Sequence, residues 1–179
     1  SYAGICRFGN SRGENIAENA DAMFHAGSIR EIDAFTTTGE GSSCGTLSSL
    51  INPNEPIIIA GSDYTIPRKT PFILSVSATD TDVNDSLTYS WDQMDAGTAT
   101  SISTLGFDLT DNSLFRSYFP QSSNQRHFPA LGTTLNNQFD KSEVLACTTR
   151  SLNFRISVRD QKSGMATDDV KINVTNTAG

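Results

Sequence analysis

Leu152-Asn153-Phe154-Arg155-Ile156-Ser157-Val158-Arg159 alternates apolar and polar residues without a break, and Val170-Lys171-Ile172-Asn173-Val174-Thr175 does the same a short way on. A β-strand sends successive side chains to opposite faces, so each stretch has one apolar face and one wet face. Between them Asp160-Gln161-Lys162-Ser163-Gly164 reads as a hairpin-like connection, with Gly164 where a positive φ is needed. Working back along the chain, Phe72, Leu74, Val76 and Ala78 alternate with Ile73, Ser75 and Ser77, and Leu87, Tyr89 and Trp91 with Thr88, Ser90 and Asp92. Half-buried strands of this kind build antiparallel sheets with one solvated face, and two such sheets stack as an Ig-like β-sandwich. Trp91 then belongs to the sandwich core; a sugar-stacking role requires exposed aromatics, and the alternation points this set inward.

The rest of the chain is organised around that unit. Residues 57–176 are assigned to the sandwich, 51–56 to a Pro-containing linker and 177–179 to a tail. Residues 96–142 exceed what a sandwich needs and read as a long insertion, with Leu114–Phe119 and Glu143-Val144-Leu145 as candidate strands. Residues 1–50 carry one helical signal, from about Asp21 to Phe35. There Met23, Ala26, Ile29, Ile32 and Phe35 recur every three residues, and Asn19 or Asp21 is placed to cap the first turn. The fold class expected is mainly β, an Ig-like antiparallel sandwich with a long insertion, preceded by a short helix and loop.

Composition narrows the environment rather than the activity. Ser and Thr make up 22 and 20 of the 179 residues, while charged residues are 18% and apolar residues 36%. A net charge of −7 argues against nucleic acid or an anionic membrane as partner. The longest apolar run, Ile57-Ile58-Ile59-Ala60, is far too short to span a bilayer. A secreted, extracellular protein is expected.

Six stretches carry a resemblance. Ser1-Tyr2-Ala3-Gly4-Ile5-Cys6, then Phe24-His25-Ala26-Gly27-Ser28-Ile29-Arg30-Glu31-Ile32, then Ser43-Cys44-Gly45-Thr46 resemble, in order, the sequence after the Met-turn, the closing helix and the exit of the catalytic domain in bacterial reprolysin-like zinc metallopeptidases. Ala60-Gly61-Ser62-Asp63-Tyr64-Thr65-Ile66-Pro67, Leu87–Gln93 and Leu152–Asp160 resemble the Ig-like module that follows it. The resemblance implies a secreted zinc endopeptidase as parent, with residues 1–50 a catalytic-domain remnant and the sandwich an accessory module that binds substrate or surface material, or acts as a spacer. Residue 1 then falls just after the Met-turn methionine, as a trimmed reading frame or cleavage at the turn would leave it. The resemblance also implies a bonded pair, Cys6–Cys44, the alternative being free thiols; closing that loop stabilises a chain by roughly 3–4 kcal/mol in the entropy picture.

The zinc chemistry itself is missing. A metzincin requires H-E-x-x-H and a third His, and this chain has His25 and His127 alone, neither followed by Glu. No catalytic or zinc-binding residue is assigned, zinc being confined to the parent's catalytic part, and both His are read as structural. Cys147 is expected as a small buried apolar residue.

Asp80-Thr81-Asp82-Val83-Asn84-Asp85 is the one candidate site. Hard oxygen donors at alternate positions suit Ca²⁺, with Asp80, Asp82, Asn84 and Asp85 as ligands and Asp63 or Asp95 completing the shell. The competing reading is a solvated loop whose charges discourage edge pairing. Two functions remain: the peptidase's accessory module, or an autonomous calcium-stabilised adhesion module. Partners expected are the rest of the parent, or protein or polysaccharide surface material; the helix's apolar face, with Ile29, Ile32 and Phe35, is expected to pack against the sandwich or against a second copy in a homodimer.

Overall fold

The computed structural model describes residues 21–46, 54–82 and 85–178. Among the described residues eight strands form two layers. One layer is a four-stranded sheet in the order β2 (Tyr64–Arg68), β8 (Met165–Ala178), β7 (Arg150–Arg159), β5 (Thr88–Gln93). Its pairs are antiparallel except β2–β8, which run parallel from Tyr64↔Ile172. The other layer is made by β1 (Ile57–Ile59) against β4 (Ser77–Thr79) and β3 (Phe72–Ser75) against β6 (Gln125–Phe128). β3 and β4 are successive parts of one extended stretch interrupted at Val76. There Asn124 closes the gap, its carbonyl accepting from the Val76 N–H and its side chain donating to the Val76 carbonyl.

The apolar faces of the alternating strands form the core, although Ser90 and Asp92 of β5 and Ser157 of β7, expected on the wet face, are buried as well. Leu152, Phe154, Ile156 and Val158 of β7 and Val170, Ile172 and Val174 of β8 are buried, as are Phe72, Leu74, Val76 and Trp91. At the centre Phe72 and Phe128 stack at 5.0 Å, Phe115 meets both edge-on at 5.8 and 5.2 Å, and Phe154 lies 4.7 Å from Phe128. Each ring removed from water contributes roughly 1.5–3 kcal/mol, and the edge contacts add about 1 kcal/mol each. Phe128 and Phe115 both come from the stretch between β5 and β7 that the sequence reads as insertion or its margin. Part of that stretch is therefore a core strand, β6. Leu114–Phe119 is not a strand; it makes one isolated bridge, Phe115↔Glu143.

The same stretch is tied down by buried charge. Asp108 accepts from Arg150 Nη1 at 2.8 Å, from the Cys147 and Thr148 N–H groups at 2.9 Å and from the Thr148 hydroxyl at 2.7 Å. Burial pushes the Asp108 carboxyl up, but the Thr148 and Arg150 bonds, with the backbone N–H groups of Thr110 and Cys147, outweigh it and hold it at about 2. Arg126 and Glu143 form a second buried pair at 2.7 Å. Cys147 itself is an exposed free thiol, not the buried residue expected, because its N–H is turned to Asp108 and the neighbouring Ala146 takes the core position.

The helix, α1, runs Ala26–Thr37 and starts five residues later than the periodicity suggests. Its N-cap is His25, whose Nδ1 accepts from the Gly27 N–H, not Asn19 or Asp21; Asn19 lies outside the described residues, and Asp21 pairs with Arg116 at 3.2 Å. The helix is docked by polar contacts at its first turn. The buried Asp92 carboxylate accepts from the Ala26 N–H at 2.9 Å, and His25 Nε2 meets the Gln93 carbonyl at 3.2 Å. Farther along, Ile32 and Phe35 stay 47% and 55% exposed, so the apolar stripe does not cover the sandwich as expected.

Candidate metal centre

The stretches that follow β4 and β7 bring three carboxylates into one place. One oxygen each of Asp80, Asp85 and Asp160 lies within 4.8 Å of the others. Asp160, at the start of the β7–β8 turn, is fully buried. Its Oδ1 accepts from the Lys162 N–H at 2.6 Å and the Gly164 N–H at 2.9 Å, which fixes the carboxylate in the turn. Asp80 Oδ1 accepts from the Asp82 N–H at 2.8 Å, and Asp82 Oδ1 from Asn54 Nδ2 at 2.9 Å. The remaining oxygens, Asp80 Oδ2 and Asp82 Oδ2, are buried and have no hydrogen-bond partner among the described residues.

Buried carboxylate oxygens without donors are costly, and like charges at this spacing repel. Two unit charges at the 4.8 Å outer limit of that spacing repel by about 3 kcal/mol at an effective dielectric near 20, less where water reaches Asp85. A divalent cation reverses the sign of that term, and a set of carboxylate oxygens is the donor chemistry that Ca²⁺ takes. A Cβ on Gly164 would run into Asp160 Oδ2 and stand 2.9 Å from the Asn54 carbonyl. Gly164 is thus required for room, not for a positive φ; the left-handed residues of this turn are Gln161 (φ 64°) and Ser163 (φ 98°).

The sequence-derived set is partly regrouped. Asp80 and Asp85 converge, Asp82 borders them, and Asn84 lies outside the described residues. Asp63 and Asp95 do not complete the shell. Asp63 accepts from the Lys171 N–H at 2.9 Å, and Asp95 is held by Asn153 at 2.6 Å and Gln93 at 2.6 Å. Asp160 takes their place, a residue remote in sequence that only the strand pairing brings in. The signal available was its turn, an aspartate followed four residues later by glycine. Neither His joins the cluster: His25 caps α1, and His127 sits opposite Ile73 in the β3–β6 ladder. Cys44 is an exposed thiol, while its expected partner, Cys6, lies outside the described residues.

No protein-family model matches the chain, and no curated protein matches it in sequence. Several solved structures align with part of the chain, the following three among them. A nucleoside hydrolase-related hypothetical protein from Saccharophagus degradans, associated with carbohydrate metabolism, aligns over 68% of this chain and 26% of its own at 18% identity and TM-score 0.41. DIP-gamma IG1+IG2 aligns over 67% and 48% at 12% identity and 0.36. A protocadherin gammaB7 EC3-6 cis-dimer aligns over 70% and 25% at 19% identity and 0.37. The chain thus spans a quarter to a half of the length of these structures. At such TM-scores the sandwich assignment stands on the strand pairing described above.

Proposed function

We propose that this chain is a non-catalytic, extracellular β-sandwich module stabilised by one calcium ion between the β4–β5 loop and the β7–β8 turn. The observation that carries the reading is the convergence of Asp80, Asp85 and Asp160 beside two buried carboxylate oxygens that no donor among the described residues satisfies. Asp80, Asp85 and Asp160 would hold the ion, with Asp82 beside them. The ion's contribution is mechanical: it joins the end of one layer to the hairpin of the other. The N-terminal resemblance supports placing the module beside a secreted zinc peptidase, as its substrate- or surface-binding accessory. Among the described residues no helix is long and apolar enough to cross a membrane.

A thermal melt in excess EDTA against millimolar CaCl₂ tests the reading. An ion bound only by the native state adds RT ln(1 + [L]/Kd), about 2.7 kcal/mol at a hundred times Kd. For a domain of this size that is a rise of roughly 5–10 °C. Identical melts would remove the calcium from the account.

A further inference from the structure

A cleft of about 510 Å³ opens between β5 and the Arg116–Arg126 stretch. Its size suits a ligand of one or two rings. Tyr89, Tyr118 and Phe119 supply aromatic surface, Phe119 being 55% exposed. Gln121, Ser122 and Gln125 supply exposed amide and hydroxyl groups around it. The walls are fixed by the fold. Tyr89 and Gln121 exchange both backbone hydrogen bonds, at 2.8 and 2.9 Å. Arg126 lies 4.6 Å from the Tyr118 ring centre and donates to the Trp91 carbonyl at 2.6 Å.

The electrostatics select the class of ligand. Arg126 is neutralised by Glu143 at 2.7 Å and Arg116 by Asp21 at 3.2 Å, so the cleft presents no net charge to a phosphate, a sulfate or a polyamine. What it presents is aromatic faces beside planar amides, hydroxyls and a half-exposed ion pair. An uncharged polyol matches that combination: its C–H face lies on an aromatic ring while its hydroxyls both donate and accept. We propose that this cleft binds a neutral saccharide, with the exposed Phe119 ring as the stacking surface and Gln121, Gln125 and Arg116 as the hydroxyl-reading groups. The proposal rests on the reading of the chain as a binding module and names its ligand class.

The test is an amide-resolved NMR titration of the full chain in calcium-containing buffer. The probes are cellotetraose, laminaritetraose, maltotetraose and tetra-N-acetylchitotetraose, with a heparin-derived sulfated disaccharide as the charged comparison. At least one neutral tetrasaccharide should shift the Tyr89, Phe119 and Gln121 amides saturably, with a Kd on the order of 1 mM or tighter. Phe119→Ala should weaken that binding about tenfold or more while leaving the melting temperature unchanged, since Phe119 is exposed. The proposal is overturned if none of the four shifts those amides, if the sulfated probe binds there in preference, or if Phe119→Ala binds as well as the parent. A chain that gains stability from calcium yet ignores all four sugars keeps the calcium reading and loses this one.

Discussion

Acid should unfasten the stretch between β5 and β7 at one residue. Asp108 is held at about 2 against an ordinary value of 3.8. Because its folded value is depressed, the stabilisation is fully present above about pH 4 and is lost as pH falls from there through about 2. A difference between 3.8 and about 2 corresponds to about 2.5 kcal/mol at 1.36 kcal/mol per unit, and solvent screening near the surface brings it toward about 1–2 kcal/mol. Asp108→Asn removes this pH dependence and leaves Arg150, whose side chain is 3% exposed, without its carboxylate. The Asn112 carbonyl still accepts from Arg150 Nη2 at 2.7 Å, so the loss should stop short of complete isolation. About 2–4 kcal/mol is expected at pH 7, a fall in Tm of roughly 5–15 °C. Urea unfolding of both proteins at half-unit steps from pH 5 to 2 measures the difference. Asp111 and Asp169, whose carboxyls are also lowered, contribute to both curves and cancel. The two stability curves should converge as pH falls below about 4. Parallel curves down to pH 2 would refute the clamp.

Three further outcomes follow from other parts of the molecule. Gly164→Ala should abolish the calcium-dependent rise in Tm while the chain still folds, because the added methyl enters the space between Asp160 and Asn54; an unchanged rise would show that the ion does not use this space. Asp92→Ala leaves the Ala26 N–H without its acceptor, costing about 1–3 kcal/mol and speeding hydrogen exchange across Ala26–Thr37 ahead of the sheet amides; unchanged exchange there would mean the helix is held by something else. Thiol titration of the denatured, non-reduced chain should find one reactive sulfur, Cys147, if Cys6 and Cys44 are bonded, and three would exclude that bond.

The strands that alternate without interruption were legible because burial on one face leaves a two-residue period, as Leu152–Val158 and Val170–Val174 show. β6 was not, since Gln125-Arg126-His127-Phe128 contributes one apolar core residue and its buried arginine depends on Glu143, a partner that no local pattern reveals. The helix illustrates the opposite failure. Its apolar stripe predicted a packed face, yet the contacts that hold it are a buried carboxylate and an imidazole at its first turn. Hydrophobic periodicity is blind to polar docking. In the candidate site Asp80 and Asp85 were readable as neighbours in one loop, whereas Asp160, in the stretch that follows β7, joins them only through the fold. Asp63 and Asp95 belong to the loops that flank this one in sequence, but the fold engages them elsewhere.

Isothermal titration of CaCl₂ into the EDTA-stripped, dialysed full chain tests the central claim most directly. The account predicts one saturable site in the parent chain, with Asp160→Asn losing it while keeping the β-sheet circular dichroism of the parent. Absence of a saturable site, or equal binding by Asp160→Asn, would contradict the assignment of calcium to the junction of Asp80, Asp85 and Asp160.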